Sequence, residues 1–186
     1  MWHLDTVLCW ILNATRRVRT LEFPMQKKSL EVLTAILLGG IIAAAIDIFV
    51  ASLMYGRSPA FILQSIAGGL LGKGTHSGGT GTVALGVILQ EAMGILIAAI
   101  YVAGSIPVPA LRGRWILSGL AYGVVIYFVM GYVVLPLSAL KATPHFSLAK
   151  FIKEIPAMLL FGLIVTFFCR RLVSAQPAQD GVANPA

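Results

Sequence analysis

Two acidic residues, Asp47 and Glu91, lie well inside long apolar stretches of the sequence. A carboxylate in the hydrocarbon region of a membrane costs at least about 2.5–3.5 kcal/mol on insertion scales. Such a residue is therefore expected either to serve a function or to hold helices together. Gln90 and Gln64 are long polar side chains in similarly apolar surroundings. We predict that Asp47, Glu91, Gln90 and Gln64 are the ligand- or proton-binding residues.

The two acids are predicted to lie at similar depths in neighbouring, antiparallel spans. With a helical rise of 1.5 Å per residue, their positions come within roughly 5 Å of the same depth. We therefore expect one polar pocket to hold Asp47, Glu91 and Gln90. Two close carboxylates in a low dielectric cannot both stay ionised, so one should hold a proton, as in a proton-coupled or cation-binding site. The alternative, equally compatible with the sequence, is that each acid only bonds neighbouring helices together.

Composition places these residues in a membrane protein. Hydrophobic residues make up 58% of the 186 residues and charged residues 11%, against about 45–50% and about 25% in soluble domains. The mean hydropathy is +0.90. The net charge of +7 comes from Lys and Arg clusters beside apolar spans. That placement is typical of topology signals and of contacts with anionic lipid headgroups, so a nucleic-acid partner is not expected.

Apolar runs predict an all-α fold with four transmembrane helices. The spans are predicted at residues 30–55, 82–103, 115–135 and 151–169. Between the first two, Pro59 to Leu71 is apolar but too short to cross a bilayer, which indicates a re-entrant or interfacial helix. A flexible polar loop, residues 73–81, is expected to follow it.

The segments outside the spans complete the predicted organisation. Residues 1–29 are predicted to be a cytoplasmic segment with an amphipathic helix at 2–14, which Pro24 separates from the first span. The rival interpretation of this segment is a poorly ordered leader. Residues 30–172 form the transmembrane domain, and residues 173–186 read as a disordered cytoplasmic tail.

Four glycines are predicted to let helices approach closely. Gly68 and Gly72 lie in and after the short helix, and Gly119 and Gly123 lie in the third span. Helices in lipid pack through small residues, because lipid removes the hydrophobic drive for their association. The same glycines could instead dock a second membrane protein or another copy of the chain.

Basic residues predict the topology. With both termini inside, nine Lys and Arg residues lie on the inner side and five on the outer side. This excess favours cytoplasmic N- and C-termini.

No cofactor or metal site is predicted. Cys9 and Cys169 lack metal-ligand spacing, and a disulfide between them is not expected in a reducing compartment. His76 and His145 lie in outer loops, where solvated histidines are the simpler interpretation. Neither Ser65 nor Ser77 has a base that the sequence can assign to it, so an enzyme is less favoured than a non-enzyme.

Several short motifs between residues 35 and 140 carry a family resemblance. They include Ile46-Asp47-Ile48, the run ILQSIAGGLLG at 62–72, and VLPLS at 134–138. This pattern resembles small, uncharacterised bacterial inner-membrane proteins of the YagU type. The resemblance implies four helices and the inner membrane, and it carries no activity. Members often have a histidine where this chain has Gln90, so no role that needs an imidazole is transferred.

Three functional hypotheses follow. The first is a small-solute or ion transport or binding protein, which could be a homo-oligomer, with Asp47 and Glu91 as a protonatable pair. The second is a non-catalytic structural or partner-binding subunit that docks through its glycine faces. The third is a membrane enzyme acting on lipid, with Gln64, Ser65 and His76 near the chemistry.

Overall fold

The computed structural model describes the backbone of residues 3–141 and 146–173, and the side chains of residues 29–141 and 146–173. This part of the chain is helical and contains no strand, so the all-α prediction is confirmed. A 3₁₀ turn at Thr75–Ser77 precedes α3, and a π-helical segment at Met130–Val134 joins α5 to α6. The α-helices are α1 (His3–Tyr55), α2 (Pro59–Leu71), α3 (Gly79–Ser105), α4 (Pro109–Gly113), α5 (Trp115–Val129), α6 (Leu135–Leu137) and α7 (Leu148–Leu172).

Four helical segments are long and apolar enough to cross a membrane, which confirms the predicted number of spans. They are Ser29–Tyr55, Gly79–Ser105, Trp115–Leu137 and Leu148–Leu172. At 1.5 Å per residue these segments are about 35–40 Å long, enough for a hydrocarbon core of about 30 Å. The shorter apolar helix is also present, as α2.

The predicted break at Pro24 was wrong, because α1 continues through this residue as one helix. Proline removes one main-chain hydrogen bond and costs about 3 kcal/mol in a helix interior. Helix formation is cooperative and each residue added extends the hydrogen-bonded ladder, so the turns on both sides continue the helix through a single proline. The amphipathic face predicted at residues 2–14 stays a prediction, because the side chains of these residues lie outside the described part of the chain.

Small residues lie inside the bundle and large apolar residues lie outside it. Ala43, Ala44 and Ala98 have no exposed surface, whereas Leu53 is 68% exposed and Ile88 64% exposed. A protein in water would not leave such side chains uncovered on every long helix. This arrangement fits helices that pack by close backbone approach and face lipid.

Two glycine contacts hold the long helices together. α1 packs between α3 and α7, and α7 also packs on α5. A Cβ on Gly40 of α1 would lie 2.8 Å from the carbonyl oxygen of Gly94 of α3. On the other side, Gly119 and Gly123 of α5 face α7, where Gly162 lies against both. Only glycine allows these backbones to come so close.

The fold has two distinct ends. At the α2 end, α1 and α6 finish, α3 and α7 begin, and α2 packs on the first turns of α3. At the opposite, α4 end, α3 and α5 are joined by hydrogen bonds: the Tyr101 hydroxyl donates to Ser118 Oγ at 2.9 Å, and the Tyr122 hydroxyl donates to the Ile97 carbonyl at 2.7 Å.

Short-range contacts fix α2 and the turn after it. The Ser58 hydroxyl accepts a hydrogen bond from the Phe61 N–H and caps the helix, and Pro59 occupies its first turn. Gly72 ends the helix with a φ of 82°, which favours glycine. The Thr75 hydroxyl donates to the Gln64 carbonyl at 2.8 Å, so the predicted flexible loop begins as an anchored 3₁₀ turn.

Proline explains the irregular end of the third span. Pro136 has no N–H and its ring crowds the preceding turn. The helix widens immediately before it, and the Leu135 N–H bonds to the Met130 carbonyl five residues back. Pro156 lies inside α7 in the same half of the bundle, and α7 continues through it.

We predict that Gly123→Ala destabilises the bundle. The added Cβ would lie 2.5 Å from the Met158 carbonyl oxygen and 2.7 Å from Leu159 Cα, and neither backbone atom can swing away. Overpacking of this kind costs about 1–3 kcal/mol. Thermal unfolding in detergent, followed by tryptophan fluorescence, should show a Tm several degrees lower.

Gly104→Ala is the matched control, because a Cβ on this α3 glycine would meet no atom within 4 Å. Alanine favours helix over glycine by about 1 kcal/mol, so this Tm should stay the same or rise. Equal destabilisation by both variants would contradict the close packing of α5 on α7.

Candidate functional site

Two adjoining cavities occupy the half of the bundle near the α2 end. One has a volume of about 500 Å³ and the other about 990 Å³. They share four lining residues: Ala51, Tyr55, Met130 and Leu135. The cavities exist because α3 and α5, joined at the α4 end, do not pack against each other here. Volumes in this range are typical of small-molecule sites.

The smaller cavity contains an acid, aromatic rings and methionines. The acid is Asp47, which α1 contributes eight residues before the helix ends at Tyr55. This corresponds to about 12 Å from the α2 end at 1.5 Å per residue. The other polar or aromatic residues and the methionines that line it are Met54, Tyr55, Tyr127, Met130, Tyr132, Lys150, Glu154 and Met158.

The larger cavity is mostly apolar. It lies between α2, α3 and the π segment, and only a few polar side chains line it: Tyr55, Arg57, Ser65, Gln90 and Ser138. Its apolar wall includes Phe61, Ile62, Leu70, Leu89 and Met93.

Asp47 and Gln90 form a direct contact at the boundary of the two cavities. The Gln90 Nε2 donates to Asp47 Oδ2 at 3.0 Å, and its distance to the Ala44 carbonyl oxygen is 3.4 Å. Gln90 lines the larger cavity and Asp47 lines the smaller one. One amide on α3 therefore fixes the orientation of the carboxylate on α1.

Glu91 lies apart from this pair. It lines neither cavity, and its Oε2 is buried without a hydrogen-bond partner in the described part of the chain. Successive residues on an α-helix point about 100° apart, so Gln90 and Glu91 cannot both face the same space. The structure thus brings two of the three predicted pocket residues together and places Glu91 elsewhere.

Gln64 and the predicted packing glycines also have defined places. Gln64 lines neither cavity; its Nε2 is 3.2 Å from the Gly79 carbonyl oxygen and 3.3 Å from Thr82 Oγ1. Gly68 is beside Thr75 and Leu140 rather than a long helix, and Gly72 is the C-cap of α2. The close α2–α3 contact is instead at Gly86, which lies against the Leu63 backbone.

A second polar group at the mouth of the smaller cavity was missed by the sequence analysis. The Tyr55 hydroxyl donates to Glu154 Oε1, and the same oxygen lies 3.9 Å from Lys150 Nζ. Lys153 Nζ lies 4.4 Å from the centre of the Tyr55 ring. Glu154 lies six residues after the start of the fourth span. This position inside an apolar span is the feature of the sequence that could have identified it.

The residues considered for enzymatic chemistry make other contacts. The Ser65 hydroxyl donates to the Phe61 carbonyl at 2.9 Å, and the His76 ring stacks on the Phe61 ring at 4.2 Å. The described residues contain no group of three or more acidic, histidine or cysteine side chains placed to bind a metal ion. Cys169 is a free, buried thiol beside Ser105. His145 lies outside the described residues.

The chain has no significant match among protein-family models, curated proteins or solved structures. The resemblance to YagU-type proteins stays a prediction.

We predict that Gln90→Ala changes the vibrational environment of Asp47. The substitution removes the only side-chain donor that the described residues offer to its carboxyl group. The carboxyl band of Asp47 is identified as the band that is lost in Asp47→Asn. Infrared difference spectra of Gln90→Ala should show this band at a shifted frequency. Gln64→Ala, whose amide contacts only Gly79 and Thr82, is the matched control and should leave that band in place.

The carboxyl band of Glu91 can be identified by its loss in Glu91→Gln. Gln90→Ala should not shift this band, because Glu91 Oε2 has no hydrogen bond to Gln90. An unshifted Asp47 band in Gln90→Ala would show that the 3.0 Å contact does not exist in the membrane.

Proposed function

We propose that this multi-pass membrane protein binds a small solute or ion in its cavities and transports it across the membrane. In this proposal Asp47 is the binding carboxylate and Gln90 holds it in place. The observation that carries the proposal is the Asp47–Gln90 contact at the boundary of two cavities that extend to the α2 end.

The cost of an intramembrane acid supports a binding role. A carboxylate that served only to bond helices would be expected to have its oxygens occupied by neighbouring donors. Within the part of the chain that the structure describes, Asp47 receives one side-chain donor, Gln90, and Asp47 lines the smaller cavity. Acids that face a cavity within a membrane commonly mark solute or ion pathways.

The backbone around the cavities supports a binding site as well. Irregular backbone at membrane depth is tolerated where it lines a cavity or is covered by protein. The π segment supplies Met130, Gly131 and Tyr132 to the smaller cavity, just before Pro136. Short π segments within helices occur frequently at functional sites.

The one-sided shape of the space supports transport rather than storage. The cavities lie toward the α2 end, while the bonds of Tyr101 and Tyr122 join α3 to α5 at the α4 end. A site inside the membrane span with access from one side is compatible with one state of an alternating-access transporter. Pro136 and Pro156 offer points at which α6 and α7 could bend between states.

The alternative of a structural or partner-binding subunit has less support. Three of the four glycines proposed as docking positions already contact the chain itself: Gly68 meets Thr75, Gly119 meets Leu163, and Gly123 meets Leu159. The predictions of a homo-oligomer, of a protein partner, and of a bacterial inner membrane with cytoplasmic termini remain predictions.

We expect at least one solute to raise the Tm of the protein in nanodiscs, and Asp47→Asn to abolish that rise. A ligand that binds only the folded state stabilises it by about 2.7 kcal/mol at 100 times its Kd. The panel should contain inorganic cations, organic cations, anions and neutral solutes. Solutes that pass this screen would then be tested for uptake into proteoliposomes.

The matched control is Glu31→Gln, which removes an acid from the opposite end of the same α1 span. It should keep every solute-dependent rise in Tm. If no solute stabilised the parent protein more than Asp47→Asn, the proposed function would be rejected.

A further inference from the structure

We propose that the solute is a hydrophobic organic cation: an ammonium or phosphonium ion whose charge is surrounded by an aromatic or branched apolar body. This inference rests on the proposed function and specifies the substrate class of the same site. It follows from the charge, the side-chain types and the dimensions of the two cavities.

Among the residues that the structure describes, two acidic and two basic side chains line the cavities, and the basic ones, Lys150 and Arg57, contact Glu154 and the Phe61 ring. The charge left to a ligand at Asp47 is therefore negative. Asp47 and Glu154 are the two acids that line the cavities. Glu154 already has Lys150 and the Tyr55 hydroxyl as partners, whereas no described basic side chain lies within ion-pair distance of Asp47. A buried carboxylate with no paired cation favours a positively charged ligand, because the ligand supplies the missing counter-charge.

The walls of the smaller cavity suit a cation with an organic surface. Tyr55, Tyr127 and Tyr132 line this cavity, and the faces of such rings attract ammonium groups through their quadrupoles. One of these rings already binds such a group within the protein, since Lys153 Nζ lies 4.4 Å from the Tyr55 ring centre. Methionines 54, 130 and 158 add polarisable surface that adapts to apolar groups of different shape.

The size of the space argues against a bare metal ion as the ligand. Hard metal cations require several oxygen ligands at about 2.0–2.6 Å. The described residues offer no cluster of three or more acidic, histidine or cysteine side chains for this purpose. A volume of about 500 Å³ around one carboxylate instead suits an ion that carries its own apolar shell.

The larger cavity provides room for the apolar body. It adjoins Asp47 through Gln90 and is walled by Phe61, Leu89 and Met93. A ligand with its charge at Asp47 could therefore place aromatic or branched groups between α2, α3 and the π segment. Burial of that apolar surface would contribute about 25 cal/mol per Å² before the costs of binding are subtracted.

The test is equilibrium binding of radiolabelled tetraphenylphosphonium to the purified full chain in nanodiscs. Empty nanodiscs correct for partition into lipid. We expect saturable binding to the parent protein, at least about tenfold weaker binding to Asp47→Asn, and unchanged binding to Glu31→Gln. Neutral triphenylphosphine oxide should bind at least about tenfold more weakly, since it lacks the net charge that Asp47 attracts.

Tyr132 separates the aromatic contribution from the carboxylate. This side chain lines the smaller cavity and is 39% exposed, so its replacement should not disturb the core. Tyr132→Leu should weaken tetraphenylphosphonium binding about threefold or more, whereas Tyr132→Phe keeps the ring and should bind normally. If Asp47→Asn fails to fold, Tyr132→Leu and Gln90→Ala provide the decisive comparisons, and each should still lower the affinity.

The outcomes distinguish this inference from the proposed function. If sodium, an anion or a neutral solute stabilises the protein through Asp47 while tetraphenylphosphonium does not bind, the substrate class is overturned and the proposed function stands. Equal tetraphenylphosphonium binding to the parent protein, Asp47→Asn and Tyr132→Leu also overturns the substrate class. If no solute depends on Asp47, both proposals fail.

Discussion

The close approach of helix backbones is the constraint on which the rest of this structure depends. Lipid is as apolar as leucine, so burying large side chains between helices contributes little to their association. The bundle instead relies on van der Waals contact at Gly40 and Gly94, between α1 and α3, and at Gly123 and Gly162, between α5 and α7. Large apolar residues are consequently left to face the lipid.

The same contacts explain where the cavities form. α1 is held tightly by α3 on one side and by α7 on the other, and α7 in turn holds α5. α3 and α5 are then connected mainly through tyrosine hydrogen bonds at the α4 end. Toward the α2 end nothing comparable draws them together, and the helix of the third span is irregular there, in the π segment before Pro136. The cavities therefore form beside Asp47, the aspartate that lies within the membrane span of α1.

The sequence was sufficient to predict the spans, because the apolar runs are long and their ends carry charges, glycines or prolines. All four predicted spans match helices of the structure, and α2 was predicted from its apolar composition and its length. The prediction of a helix break at Pro24 was wrong for a physical reason. One proline costs a helix a few kcal/mol, and the hydrogen-bonded turns on either side can outweigh that cost. The π segment could not be predicted from the sequence, because its position depends on how the helix backbone relaxes before Pro136.

The composition of the site was harder to predict than its depth. Asp47 and Gln90 were paired correctly because depth follows from counting residues at a fixed rise. Rotation about the helix axis is different, since it requires an apolar stripe that marks the buried face. α3 is apolar on nearly all sides, so its sequence does not distinguish the direction of Gln90 from that of Glu91. Glu154 was overlooked for a related reason: beside Lys150 and Lys153 it resembles an ordinary charged helix end, and only the packing of α7 on α1 brings it to Tyr55.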